Sequence, residues 1–215
     1  MKIASIAAVV VALFAAASAS ASPVNLITNG NFETVADGYT FNSGFKVINN
    51  ASSALTGWTV GASSVDLIRN AYNAIDGYSI DMLGTPGPGF LSQSFSVVAG
   101  QRYNLSFDMA RNSSGPAGQG VAVSFGGVAG NFYSTAAASN TLYSSNTLSF
   151  TAATTGLATL SFASAAKAGT PFDNFSGAVI DNVSVMAAVP EPETYAMLLA
   201  GLGLMGFLRR RKAAK

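Results

Sequence analysis

The chain has 215 residues, a formal net charge of +1, and neither cysteine nor histidine. Their absence excludes disulfide staples, Ser-His-Asp and Cys-His catalysis, and zinc sites built on imidazole or thiolate. Between residues 22 and 188, five basic and eight acidic side chains leave a charge of −3, and a mildly acidic surface argues against a nucleic-acid partner.

The N-terminus, residues 1–21, reads as a secretory signal helix. Lys2 is its positive end, 3–17 its apolar centre, and Ala19-Ser20-Ala21 its small-residue cleavage site. The remainder up to the tail, 22–188, is long enough for one domain with its own core. Helical periodicity is scarce there. Short alternating runs bounded by Gly, Asn and Ser predict an all-β domain, a single antiparallel β-sandwich. A short apolar strand at 24–27 leads into a turn at Asn29-Gly30-Asn31. Brief strands follow at 57–60, 65–68 and 78–82, then a Gly- and Pro-rich loop at 84–89. At 89–97, Leu91, Gln93, Phe95 and Val97 share a face. At 102–110, Tyr103, Leu105, Phe107 and Met109 share one face, and Arg102, Asn104, Ser106 and Asp108 the other. Loops are expected at 112–120 and 132–146, and inward sets at Val121, Val123 and Phe125, at Leu148 and Phe150, and at Ala158, Leu160 and Phe162.

The last strand, 178–185, contains a misfit. Val179, Val183 and Val185 share a face by period two, and Asp181 falls on it. A carboxylate among valines is costly unless it is paired, hydrogen-bonded or metal-bound. A structural calcium suits it, because calcium takes oxygen ligands and needs neither His nor Cys. Hydrogen bonds from backbone amides at a strand bulge are the other reading. Glu33 is the second candidate metal ligand, since first and last strands often pair in sandwiches and would bring it toward Asp181. Trp58 is a candidate glycan platform and equally a candidate core anchor. Tyr72 is a candidate glycan contact, as are Tyr39, Phe41, Phe45 and Tyr78 in their Gly-, Asn- and Ser-rich surroundings. Asp66 and Arg69 read as a sugar-bonding pair or a surface ion pair. Eight body acids leave a glycosidase open as an alternative, but the expectation is a protein that is not an enzyme.

The segments Asn25-Leu26-Ile27-Thr28-Asn29-Gly30-Asn31-Phe32-Glu33, Gly57-Trp58, Leu91-Ser92-Gln93-Ser94-Phe95 and Ile180-Asp181-Asn182-Val183, in that order, resemble galactose-binding-like jelly rolls. They are closest to DUF642 and related carbohydrate-binding modules. The resemblance implies a jelly-roll sandwich, a structural calcium held by Glu33 and Asp181, and a carbohydrate partner. Plant DUF642 proteins carry two such domains and cysteines, and this chain departs from them in both respects.

The tail, 189–215, has three parts. Val189, Pro190, Glu191 and Pro192 open a rigid proline-acid element. An uncharged apolar run follows, 194–208, as a hydrophobic helix. Arg209, Arg210, Arg211 and Lys212 close it on the cytoplasmic side. The apolar run covers roughly 20–23 Å as a helix, short of the about 30 Å of a hydrocarbon core. This order resembles the PEP-CTERM sorting signal of Gram-negative bacteria. The resemblance implies an exosortase as partner, transient anchoring in the inner membrane, and delivery to the cell surface or to an extracellular polysaccharide matrix.

Overall fold

Alternating apolar and polar residues give eleven strands among the described residues, and their apolar faces can be buried only by laying one sheet on another. In the computed structural model, which describes residues 24–36, 41, 44–69, 72–134, 143–173, 175–189, 199–203 and 205–206, the strands are β1 (Phe45–Asn49), β2 (Thr59–Ala62), β3 (Ser64–Arg69), β4 (Tyr78–Asp81), β5 (Gly89–Val97), β6 (Arg102–Arg111), β7 (Gln119–Phe125), β8 (Val128–Tyr133), β9 (Ser144–Thr151), β10 (Gly156–Ala166) and β11 (Ala178–Ala187). A six-stranded sheet runs β1-β3-β4-β11-β6-β9 and a five-stranded sheet β2-β5-β10-β7-β8. Every paired register is antiparallel. The expected all-β jelly-roll sandwich is thus the architecture observed.

The core between the sheets is aromatic. Phe107 meets Phe162 edge-on with ring centroids 5.1 Å apart, and Phe125 meets Phe150 edge-on at 4.6 Å. Phe32 and Trp58 lie tilted at 5.4 Å. Such pairs add roughly 0.5–1.5 kcal/mol each beyond area burial, which helps to stabilise a body without disulfides. Residues 24–187 form one compact unit around this core.

Three sequence expectations change. The segment 24–27 is not a strand. β4 reaches only Val179 and Ile180 of β11, so the next part of that edge of β11 is open, and the opening segment fills it. The Leu26 amide donates to the Val185 carbonyl at 2.8 Å, and the Val183 amide to the Gly30 carbonyl at 2.8 Å. The Asn25 side chain completes the seam, accepting from the Val185 amide at 2.9 Å and donating to the Val183 carbonyl at 3.2 Å. Gly30 is required there, because a Cβ would run into the Val183 carbonyl. β1 and β8 are strands where none was expected. Both sit at sheet edges, and half-covered edges alternate weakly: β8 has no fully buried residue. The expected loop at 132–146 accordingly holds the end of β8 and the start of β9; its residues 135–142 lie outside the described part.

The signal segment 1–21 lies outside the described residues, as do Pro190, Glu191, Pro192, Arg209, Arg210, Arg211 and Lys212. Val189 is half exposed. Residues 199–203 and 205–206 are helical, and among the described residues no helix is long and apolar enough to cross a membrane.

Candidate functional site

The two faces of the six-stranded sheet have different chemistry. Val65, Leu67 and Ile80 point into the sandwich core, so Asp66, Ile68, Ser79 and Asp81 point outward. On β11 the phase switches. Asp181 pairs with Asp108 and Ser184 with Ser106, so two residues oppose Phe107 alone, a β-bulge with Asn182 at φ +51°. Ile180, Val183 and Val185 therefore face the core, while Val179 packs outward with Ile68 and Ala110. This corrects the shared face expected for Asp181, Val183 and Val185: the inserted residue moves the carboxylate out of the valine row.

Asp181 is 1% exposed. It accepts from Ser79 Oγ at 2.8 Å, from the Asn182 amide at 2.7 Å and from the Asp76 amide at 3.4 Å. Burial pushes its carboxyl up to about 7, and the charge of Glu33 adds to the rise. Glu33 accepts from the Tyr78 amide at 2.6 Å. Both carboxylates therefore grip one turn, 76–78, through amides two residues apart. Gly77 between them has φ +45°, and a Cβ there would strike the Glu33 carboxylate. The structure thus brings Glu33 and Asp181 together and also supplies the bulge-and-amide arrangement. Among the described residues, no three Asp, Glu, His or Cys side chains converge as a metal group. The donor set available to a cation is two carboxylates and neutral oxygens, a composition suited to calcium.

A second pair of acids floors a cavity on the same outer face. Asp66 and Asp81 are direct cross-strand partners of β3 and β4, 4% and 1% exposed. The cavity has a volume of about 110 Å³, and its lining includes Phe45, Tyr72, Thr85, Asn112 and Phe175 besides the two acids. Asp81 holds strand ends together. It accepts from the Leu83 amide at 2.9 Å, the Gly177 amide at 2.9 Å and Asn112 Nδ2 at 2.6 Å. Burial nevertheless pushes its carboxyl up to about 7 against those three donors, with the Asp66 charge adding to the rise. Asp66 takes the Thr85 amide at 3.1 Å on one oxygen and the Thr85 hydroxyl at 2.9 Å on the other, and burial raises its pKa too. Each Asp66 oxygen retains acceptor capacity.

The rim is aromatic. Tyr72 meets Phe45 edge-on at 5.8 Å, and Phe175 is 55% exposed. Tyr72 and Asn73 both adopt positive φ, +55° and +67°, a conformation that costs energy in residues other than glycine. Asn73 Nδ2 holds that turn by donating to the Arg111 carbonyl at 2.6 Å. A wider concavity over β6 and β9, lined by Arg102, Asn104, Ser106, Thr147 and Ser149 among others, has no aromatic wall.

The remaining candidates separate clearly. Trp58 is 5% exposed, its indole N–H donates to the Asn29 carbonyl at 3.0 Å, and Phe32 and Phe162 pack on it. It is a core anchor and not a glycan platform. Phe41 stacks on Tyr78 at 5.1 Å, and the Arg69 guanidinium lies 5.3 Å from its centroid. Asp66 is buried and bonds to Thr85, which replaces the surface ion pair with Arg69 and leaves the sugar-bonding role of Asp66 open. Tyr39 lies outside the described residues. Sequence reasoning missed Phe175, Asn112 and Thr85, which three separate loops carry to one place. Its usable signal was Asp66 and Asp81, both acidic on strands with apolar alternate residues.

A family model described as a protein of unknown function, DUF642, matches residues 25–186, and a PEP-CTERM protein-sorting motif matches residues 188–212. Halomucin of Haloquadratum walsbyi is 34% identical over 92 residues, which are 42% of this chain and 1% of halomucin. The chain thus matches a very small part of that relative's length. Among solved structures, a cyclase from Fischerella sp. TAU in complex with 4-(1H-indol-3-yl)butan-2-one is 16% identical with a TM-score of 0.52, covering 80% of this chain and 100% of that one. At that identity the likeness concerns the fold alone. A CBM4 structure is also 16% identical, with a TM-score of 0.42, covering 75% of this chain and 99% of that one.

Proposed function

We propose that this chain, which belongs to the DUF642 family and carries a PEP-CTERM protein-sorting motif behind that domain, is a non-catalytic exported protein that binds extracellular polysaccharide. The sorting motif marks an exported protein. The finer reading is that an exosortase cuts near Val189, Pro190, Glu191 and Pro192 after transient anchoring in the inner membrane, and that the body then joins a surface or matrix. The observation that carries the binding reading is the outer-face cavity, with an aromatic rim over a hydrogen-bonding floor. Sugars suit such a site because a ring offers an apolar face to aromatics and hydroxyls to fixed acceptors.

The floor chemistry favours binding over hydrolysis. A glycosidase needs one carboxyl free to protonate the leaving oxygen and another open to sugar or water. Asp81 has both oxygens engaged by protein N–H groups, so Asp66, though each of its oxygens keeps acceptor capacity, lacks a free second carboxyl beside it. The test is a pull-down of residues 22–188 on the exopolysaccharide of the producing cell. The wild type is retained, and Phe175→Ala, which alters an exposed side chain, loses most of the retention. Undiminished binding by that variant would remove the cavity from the reading. No retention leaves a purely structural matrix component, and release of reducing ends would establish the hydrolase.

A calcium ion held by Glu33 and Asp181 is proposed alongside, in a structural role. It would relieve two neighbouring carboxylates, one of them buried, and join the opening segment to the last strand.

A further inference from the structure

The cavity has a charge character that the glycan reading alone does not use. Its floor carries two carboxylates on directly opposed residues, Asp66 and Asp81. Neither is bonded to a cation through the contacts described: Thr85 serves one, and Leu83, Gly177 and Asn112 serve the other. No Lys or Arg is among the lining residues. Three aromatic side chains, Phe45, Tyr72 and Phe175, wall the same space. Acids below and aromatic side chains around make an environment that attracts a positive group by two routes, Coulombic and cation–π. It repels a carboxylated or sulfated sugar. The volume, about 110 Å³, is well under the roughly 300–1,000 Å³ of pockets that enclose a whole small molecule, so it admits one ring or one ring substituent and not a length of chain.

We propose that the cavity takes the protonated amine of an amino sugar, with Asp66 as the accepting carboxylate, Asp81 as the second acid beside it, and Phe45, Tyr72 and Phe175 around the ammonium. The inference rests on the glycan-binding reading and narrows its ligand class to polysaccharide bearing free amines. N-acetylation removes the charge and adds bulk in a cavity of about 110 Å³, so the acetylated sugar loses its advantage. Uronates are excluded by the sign of the floor.

Titration calorimetry on residues 22–188, a unit with its own core, tests this at pH 7 with three oligomers of equal length: β-1,4-linked glucosamine, its N-acetylated form, and a galacturonate. The amine form is expected to bind at least tenfold more tightly than the acetylated form and to weaken as salt is raised, with no uronate binding. Asp66→Asn brings the amine and acetylated forms within about twofold of each other. Phe175→Ala weakens the amine form and leaves thermal stability unchanged, so the test does not depend on how Asp66→Asn folds. Equal affinity for the amine and acetylated forms, or tighter uronate binding, overturns the amine assignment. If none of the oligomers binds while the exopolysaccharide pull-down succeeds, the amine assignment falls and the sugar reading stands. If the pull-down fails as well, both fall.

Discussion

Asp81 shows how a single buried carboxylate can tie a fold together and weaken it at the same time. Three N–H donors hold it, and through them it fixes the end of β4, the end of β6 and the approach to β11. Burial still pushes its carboxyl up from 3.8 to about 7. The sign of the consequence follows. The folded state holds this proton more tightly than the unfolded chain between about pH 4 and 7. The stability it contributes is therefore present at the acid end and is lost as pH rises through 7. At about 1.4 kcal/mol per unit the loss is at most on the order of 4 kcal/mol. Asp66 shifts in the same direction. Urea unfolding with chelator present is therefore expected to give lower stability at pH 8 than at pH 5, and Asp81→Asn to flatten that slope. A wild-type stability that rises over the same interval would contradict the assignment.

At the scale of elements, the opening segment and β11 act together. Asn25 and Gly30 bind its edge, and Glu33 reaches the turn that also holds Asp181. Calcium between the two carboxylates would tighten this seam. Its addition is expected to raise Tm by several degrees over chelator, and Glu33→Ala and Asp181→Ala each to abolish the rise. An unchanged Tm would dismiss the ion. Much of this region was legible: the long central strands β5 and β6 alternate cleanly because one face is core and the other polar. The proximity of Glu33 to Asp181 was legible from the pairing of first and last segments. The bulge was not, since one inserted residue leaves no trace in composition yet reverses the facing of everything after it. The cavity was legible only in its floor. Apart from Phe45 on β1, its walls come from loops that carry Tyr72, Thr85, Asn112 and Phe175, whose convergence depends on strand order, which period-two patterns do not encode.

For the whole molecule, the body and the terminal segments answer different questions. In the proposed reading the sandwich domain meets polysaccharide and the sorting motif directs the chain's export. Fractionation of cells expressing the chain with and without residues 189–215 is expected to place the full-length product at the surface or in the medium, with a mature C-terminus near Pro190. The truncated chain should lose that surface placement. An intact C-terminus on the surface-located product would remove exosortase cleavage from the reading.

β11 ends at Ala187, one residue before the sorting motif begins, and it runs through the interior of the six-stranded sheet between β4 and β6. Any pull transmitted through the tail therefore enters lengthwise along a middle strand. The ladder bonds to β6 lie across that direction and would share the load simultaneously instead of peeling open one by one. Were the mature body to be attached through its new C-terminus, this placement would let it resist shear better than attachment through an edge strand.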